Sequence, residues 1–119
     1  DSLKEDYLSK FELSNEGFLR AFLLVREFFG EGIYLGGGGY HPIALARAWT
    51  LIWCAISGRE IPKSINPKGK EVLLSVDFEE FDEEDRSYMY ERLLDPMSNE
   101  PVSEDIRKLM QKVKAVFLV

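Results

Sequence analysis

The sequence predicts an α/β fold, and three observations predict it. An apolar helical stretch, a short apolar run, a run of glycines and a second apolar helical stretch follow one another, which is the order of an α/β unit. The short run Ile33-Tyr34-Leu35 has the pattern of a strand buried on both faces, as in a parallel sheet. Beyond residue 84 the pattern turns amphipathic, giving a mostly helical C-terminal tail.

Each element has local reasons. Residues 1–13 mix charged and apolar side chains without a clean period and read as a loop with room for a short helix. Ser14 or Asn15 offers an N-cap and Glu16 favours the helix start that follows. From Phe18 to Phe29 the helix is apolar on most of its circumference, with Glu16, Arg20, Arg26 and Glu27 as its wet stripe. Such a helix packs against a broad surface, typically a sheet face. Gly30-Glu31-Gly32 ends it, the strand at 33–35 follows, and Gly36 to Gly39 lead into Tyr40-His41-Pro42. Pro42 suits the first turn of a helix over 42–57, and Gly58 stands at its C-cap.

The second half is less regular. Pro62, Asn66, Pro67 and Gly69 read as an irregular connection. Acidic residues cluster over 77–85, a solvated loop anchored by Phe78 and Phe81, and the spacing lacks the glycine and ligand register of an EF-hand. Helices are expected over 84–94 and 103–116, with a turn at 96–101 between them.

Two apolar helices need a wide sheet to cover them, yet only one strand is legible. A single three-residue strand cannot satisfy its own backbone, and a stable sheet needs several strands. The sheet is therefore expected to be incomplete in this chain, the remainder coming from an N-terminal portion of the domain or from another copy, swapped or oligomeric. The start at Asp1 fits a fragment or a processed product.

Composition narrows the class. The 119 residues make one unit, divided here into 1–62, with the glycine loop, and 63–119, with the loop and terminal helices. Hydrophobic residues at 45% and charged residues at 30% are the balance of a soluble globular protein rather than a disordered one. A net charge of -6 argues against a nucleic-acid binder but not against a basic protein substrate. Cys54 is the only cysteine and lies in an apolar run, so it reads as an inert core thiol. No signal-peptide pattern is present, and the apolar stretch 43–56 carries Arg47 and is too short to span a membrane. A cytoplasmic protein with no membrane partner is the expectation.

A strand, glycines and a helix start first suggest a phosphate cradle. The run Gly36-Gly37-Gly38-Gly39 is not G-x-G-x-x-G, no Walker lysine follows, and no acidic ribose ligand is placed at a second strand end. A different likeness is more specific. Leu35-Gly36-Gly37-Gly38-Gly39-Tyr40 followed by Ala46-Arg47-Ala48-Trp49-Thr50 resembles the tyrosine motif of zinc-dependent histone deacetylases and bacterial acetoin-utilisation proteins. The segment Asp1-Ser2-Leu3, Asp6, Leu8 and Phe11-x-Leu13-Ser14 is similar to the stretch that carries that family's last zinc-binding aspartate, and Asp1 precedes Tyr40 by the family's spacing of 39 positions. The likeness is clearest over 1–62, is closest to the bacterial histone-deacetylase-like proteins, and fits the deacetylase and acetoin-utilisation branch better than the acetylpolyamine branch.

The resemblance implies the C-terminal part of an arginase/deacetylase-type parallel sheet flanked by helices. It implies a hydrolase that removes acetyl groups from acetylated lysine or related amines, with Zn2+ in the full-length parent. Carried over, Tyr40 is the catalytic residue that donates a hydrogen bond to the oxyanion, Asp1 is a metal ligand, and Leu8 lines the acyl-lysine channel. Gly38 and Gly39 line the same channel, where a backbone without Cβ can approach a thin substrate closely. Gly36 and Gly37 are expected to be mainly conformational, Arg47 an ion pair or carbonyl anchor, and Trp49 a helix-to-sheet packing residue. His41, the only histidine, follows Tyr40 directly and is read as a surface or loop residue. The family's Asp-x-His and paired histidines have no counterpart in the chain, so alone it is expected neither to hold zinc well nor to catalyse. The alternative is a non-catalytic scaffold module that keeps this part of the fold for protein association.

Overall fold

The computed structural model describes residues 2–8, 11–78, 87–96 and 101–117. Four helices carry the chain: α1 (Asn15–Phe29), α2 (Pro42–Ser57), α3 (Pro67–Leu74) and α4 (Glu104–Phe117), with one 3-10 turn at Ser87–Tyr90. The starts of the first three are written in local side-chain chemistry. Ser14 Oγ accepts from Gly17 N to cap α1, and Asn66 Oδ1 accepts from Gly69 N to cap α3. Pro42 and Pro67 take the first turns of α2 and α3, where the missing N–H costs nothing.

α2 is the axis of the molecule. Its buried residues Ile43, Ala44, Arg47, Ala48, Leu51 and Ile52 recur at three- and four-residue steps and make one face. Leu3, Ile43, Ala44, Ala48 and Met89 form one core cluster, with Phe18, Leu73, Tyr88 and Tyr90 against it. Leu19, Leu51 and Leu93 form a second, with Phe22, Ile61 and Ile65 at its edge. Cys54 is a buried free thiol, as its apolar setting implies.

A buried polar knot fastens three segments together. Arg47 and Asp95 form an ion pair, Nη2 to Oδ1 at 2.9 Å, with both side chains removed from solvent. These two atoms meet off the line of a hydrogen bond, so the contact is chiefly electrostatic. Arg47 Nε also donates to the Arg92 carbonyl at 2.9 Å. Asp95 Oδ2 accepts from Asn15 N at 2.7 Å, Asp95 N donates to Asn15 Oδ1, and Asn15 Nδ2 donates to the Leu93 carbonyl. Arg47 is thus both the ion pair and the carbonyl anchor expected of it.

Four expectations need correction. The strand at 33–35 does not form: Ile33 and Leu35 are 90% and 85% exposed, and the described residues contain no strand, only a single parallel bridge between Leu3 and Leu13. An extended segment becomes a strand only beside a partner ladder, and none is present among the described residues. The connection after Pro62 contains α3, begun by its Asn66-Pro67 cap. Within 84–94, the described residues make one 3-10 turn instead of a helix. There the chain is held by long-range bonds, with Ile65 N, Arg47 Nε and Asn15 Nδ2 donating to the carbonyls of Glu91, Arg92 and Leu93. His41 is buried and caps α2, with Nδ1 accepting from Ala44 N at 3.4 Å. Most of the acidic run and of the 96–101 turn lie outside the described residues.

The helices leave much apolar surface open. Leu24, Val25, Phe28 and Phe29 of α1, Trp53 of α2 and Ile106, Leu109, Met110 and Val113 of α4 are exposed. The chain presents 9626 Å² to solvent, against about 6,600 Å² for a compact protein of its mass. Its radius of gyration is 16.0 Å, where about 13.5 Å is usual for this length. No helix among the described residues is long and apolar enough to cross a membrane.

Removing one partner of a buried ion pair strands the other. Asp95→Ala is expected to cost about 3–5 kcal/mol in urea unfolding followed by tryptophan fluorescence. Replacing both partners, Arg47→Met with Asp95→Leu, should recover most of that loss. An Asp95→Ala cost below about 1 kcal/mol, the level of an exposed pair, would show that the knot holds little.

Candidate active site

The glycine loop delivers Tyr40 to the start of α2, and the backbone on both sides of it is held. Gly38 and Gly39 take positive φ, 72° and 87°, which turns the chain just before Tyr40. A Cβ at Gly39 would stand 2.7 Å from Leu45 Cδ1, so a larger residue would have to move the end of that side chain besides adopting a positive φ. Gly36 is a close approach too, since its Cβ would meet Trp49 Cζ2 at 3.0 Å. This corrects the conformational reading of Gly36, whereas nothing lies within 4 Å of a Cβ at Gly37. Trp49 packs over the glycine loop rather than on a sheet. After Tyr40, the buried His41 cap and Pro42 anchor the turn into α2.

The residue that organises this region is Asp6. Its buried carboxylate accepts from two backbone N–H groups far apart in sequence, Leu8 N to Oδ1 at 3.0 Å and Tyr40 N to Oδ2 at 2.7 Å. Asp6 N in turn donates to the Leu3 carbonyl, and the Leu3–Leu13 bridge ties that segment to the entry of α1. Leu8 and Tyr40 themselves are 56% and 49% exposed, so both present side chains outward from a fixed backbone. The structure therefore brings together Leu8, Gly38, Gly39 and Tyr40. Asp1 lies outside the described residues.

A second polar chain runs beneath. The Tyr88 hydroxyl donates to Glu5 Oε1 at 2.8 Å, and the Lys4 ammonium and the Arg47 guanidinium stand 5.6 Å and 5.3 Å from its ring centroid. Burial first, and then the Glu5 carboxylate, push the Tyr88 hydroxyl well above the ordinary tyrosine range, so it stays a donor. Arg47 of the buried knot thus reaches Glu5 through Tyr88, and Glu5 neighbours Asp6.

Behind the loop is an apolar cavity of about 390 Å³, lined by Phe18, Phe22, Leu35, Leu45, Trp49 and the four loop glycines among others. Neither Tyr40 nor Leu8 lines it, whereas Asp6 and His41 do. Among the described residues no group of three or more His, Cys, Asp or Glu side chains could hold a metal. They do not by themselves fit a zinc site, which needs three protein ligands.

Sequence reading missed the role of Asp6, although it stood in the stretch that carried the resemblance. Its partner is 34 positions away, and no local pattern reports such a bond. The N-cap role of His41 had a local signal, a polar residue directly before a helix-starting proline.

The helices, the buried arginine and the glycine-held tyrosine together are similar to part of the arginase/deacetylase-type fold of histone deacetylase homologues. Over 96% of its length the chain superposes on an HDAC homologue from Aquifex aeolicus with a TM-score of 0.83 and 63% identity, covering 31% of that chain. A solved structure of an HDAC homolog complexed with SAHA matches with the same score, identity and coverage. Histone deacetylase 8 of Xenopus laevis is 32% identical over 65 residues, 55% of this chain and 20% of that protein. No protein-family model matches the chain. The chain thus resembles the C-terminal part of the histone deacetylase fold and spans about a third of the bacterial homologue it matches.

Gly39→Ala is expected to displace Tyr40 or destabilise the loop by about 1–2 kcal/mol from φ alone, with the Leu45 overlap in addition. Gly37→Ala should be nearly silent. Amide spectra of the two variants measure this, and equal perturbation of the Tyr40 signal by both would contradict the assignment.

Proposed function

We propose that this chain is part of a zinc-dependent deacetylase of the histone deacetylase and acetoin-utilisation type, acting on acetylated lysine or a related acetylated amine. The observation that carries the reading is Tyr40. A glycine loop, the Asp6 carboxylate and the α2 cap hold its backbone, and its side chain is exposed. The 63% identity to an HDAC homologue supports the same reading.

In this reading the Tyr40 hydroxyl donates to the acyl oxygen as negative charge develops there during attack by water. Such a bond strengthens between ground state and transition state and therefore raises the rate rather than the affinity alone. Leu8 and the bare backbone of Gly38 and Gly39 form one wall of a narrow channel for the aliphatic part of the substrate. Asp1 is the proposed metal ligand of this chain, with the other ligands and the strands of the parallel sheet supplied by the remainder of the domain. The strand segment at 33–35 would join that sheet, covering Ile33 and Leu35.

A second reading, a scaffold module without chemistry, is favoured by the exposed apolar faces of α1 and α4. Turnover of the complete protein separates the two. Tyr40→Phe is expected to lower kcat by about 10²–10³-fold, with zinc content unchanged and KM altered little. Unchanged turnover would remove the oxyanion role of Tyr40. A complete protein that binds no zinc and cleaves no acetyl-lysine peptide would leave the scaffold reading.

A further inference from the structure

We propose that Asp6 is a positioning residue for the reaction, one carboxylate that sets the oxyanion donor and the channel wall in register with each other. The inference rests on the reading of Tyr40 given above and goes beyond it. The geometry is specific. Oδ2 takes the N–H of Tyr40 at 2.7 Å and Oδ1 takes the N–H of Leu8 at 3.0 Å, so the two oxygens of a single buried group fix two backbone points that are 32 residues apart.

Both points need fixing from outside their own segments. Residues 36–40 have no regular secondary structure, and two positive-φ glycines precede Tyr40, so the loop's own backbone gives the tyrosine little stiffness. Leu8 lies in a turn, with no helix or strand to hold it. A tyrosine pivots on its Cα, and a shift of the backbone nitrogen is passed on to the hydroxyl at the far end of the ring. A displacement of about 1 Å at a reacting group can cost about 10²-fold in rate. Asp6 is well suited to prevent it, because it is buried and the segment that carries it is itself pinned, by its N–H on the Leu3 carbonyl and by the Leu3–Leu13 bridge.

The chemistry requires a carboxylate at this position. Ionised aspartate offers acceptors on both oxygens, whereas asparagine offers one oxygen and an NH2 group that can only donate. In Asp6→Asn one of the two backbone N–H groups therefore faces a donor and loses its partner, with little change in side-chain volume.

The test is a double-mutant cycle in the complete protein, purified with its metal and assayed on an acetyl-lysine peptide. Asp6→Asn is expected to lower kcat by about 10–100-fold with KM and zinc content within about twofold of wild type. Because Asp6 acts through Tyr40, adding Asp6→Asn to Tyr40→Phe should cost less than about twofold more. Full multiplication of the two losses, or an Asp6→Asn enzyme of normal kcat, overturns the inference. An unchanged Tyr40→Phe enzyme sinks the oxyanion reading itself, a separate failure. Amide hydrogen exchange on the wild-type protein keeps the question open to refutation if Asp6→Asn does not fold. The Tyr40 and Leu8 amides should exchange at least about tenfold more slowly than that of Gly37, and equal rates overturn the proposal.

Discussion

Arg47 enters the interior as a charge, and the rest of the structure is arranged around satisfying it. An isolated buried guanidinium would cost many kcal/mol, so its partners are compulsory. Asp95 supplies the counter-charge and Arg92 a carbonyl, which draws residues 92–95 onto α2. Asp95 then has a second oxygen to satisfy, and it does so on the first N–H of α1. A single buried pair thereby sets the start of one helix, the middle of another and the path of a distant segment.

From this knot a polar path leads toward the proposed chemistry. The Arg47 guanidinium lies against Tyr88, Tyr88 donates to Glu5, and Glu5 is followed by Asp6, whose carboxylate holds Tyr40 N and Leu8 N. The motif that placed this chain beside the histone deacetylases contains both ends of the path, the glycine-borne Tyr40 and the arginine seven residues further on. The two are related by construction. The arginine anchors α2, and the N-terminus of α2 is where Tyr40 has to be delivered.

What could be read from the residues follows from how local each determinant is. α1, α2 and α4 were legible because caps, prolines and periodicity are near-neighbour properties, as at Ser14, Pro42 and Gly58. The start of α3 was equally local, but Asn66 and Pro67 have the same residue types as a loop and were read with Pro62 and Gly69 as an irregular connection. The segment 33–35 forms no strand among the described residues because strandedness belongs to a pair, and no partner strand is among them. A helix was expected over 84–94, yet its described residues make one 3-10 turn and are held to α1, α2 and residue 65 by long-range bonds at the carbonyls of 91–93. At the site, Tyr40, Gly38 and Gly39 came from a recognisable motif, and Leu8 from its aligned stretch. Asp6 could not be assigned a task, since its bond to Tyr40 exists only once the chain has folded.

The central claim is that this scaffold aims the Tyr40 hydroxyl at a substrate oxygen. A crystal structure of the complete protein with an acetyl-lysine peptide bound tests it most directly. The account predicts the Tyr40 hydroxyl within about 2.7–3.1 Å of the acetyl oxygen, Tyr40 N still on the Asp6 carboxylate, and Leu8 against the lysine stem. An acetyl group bound elsewhere, with Tyr40 facing solvent, would contradict it.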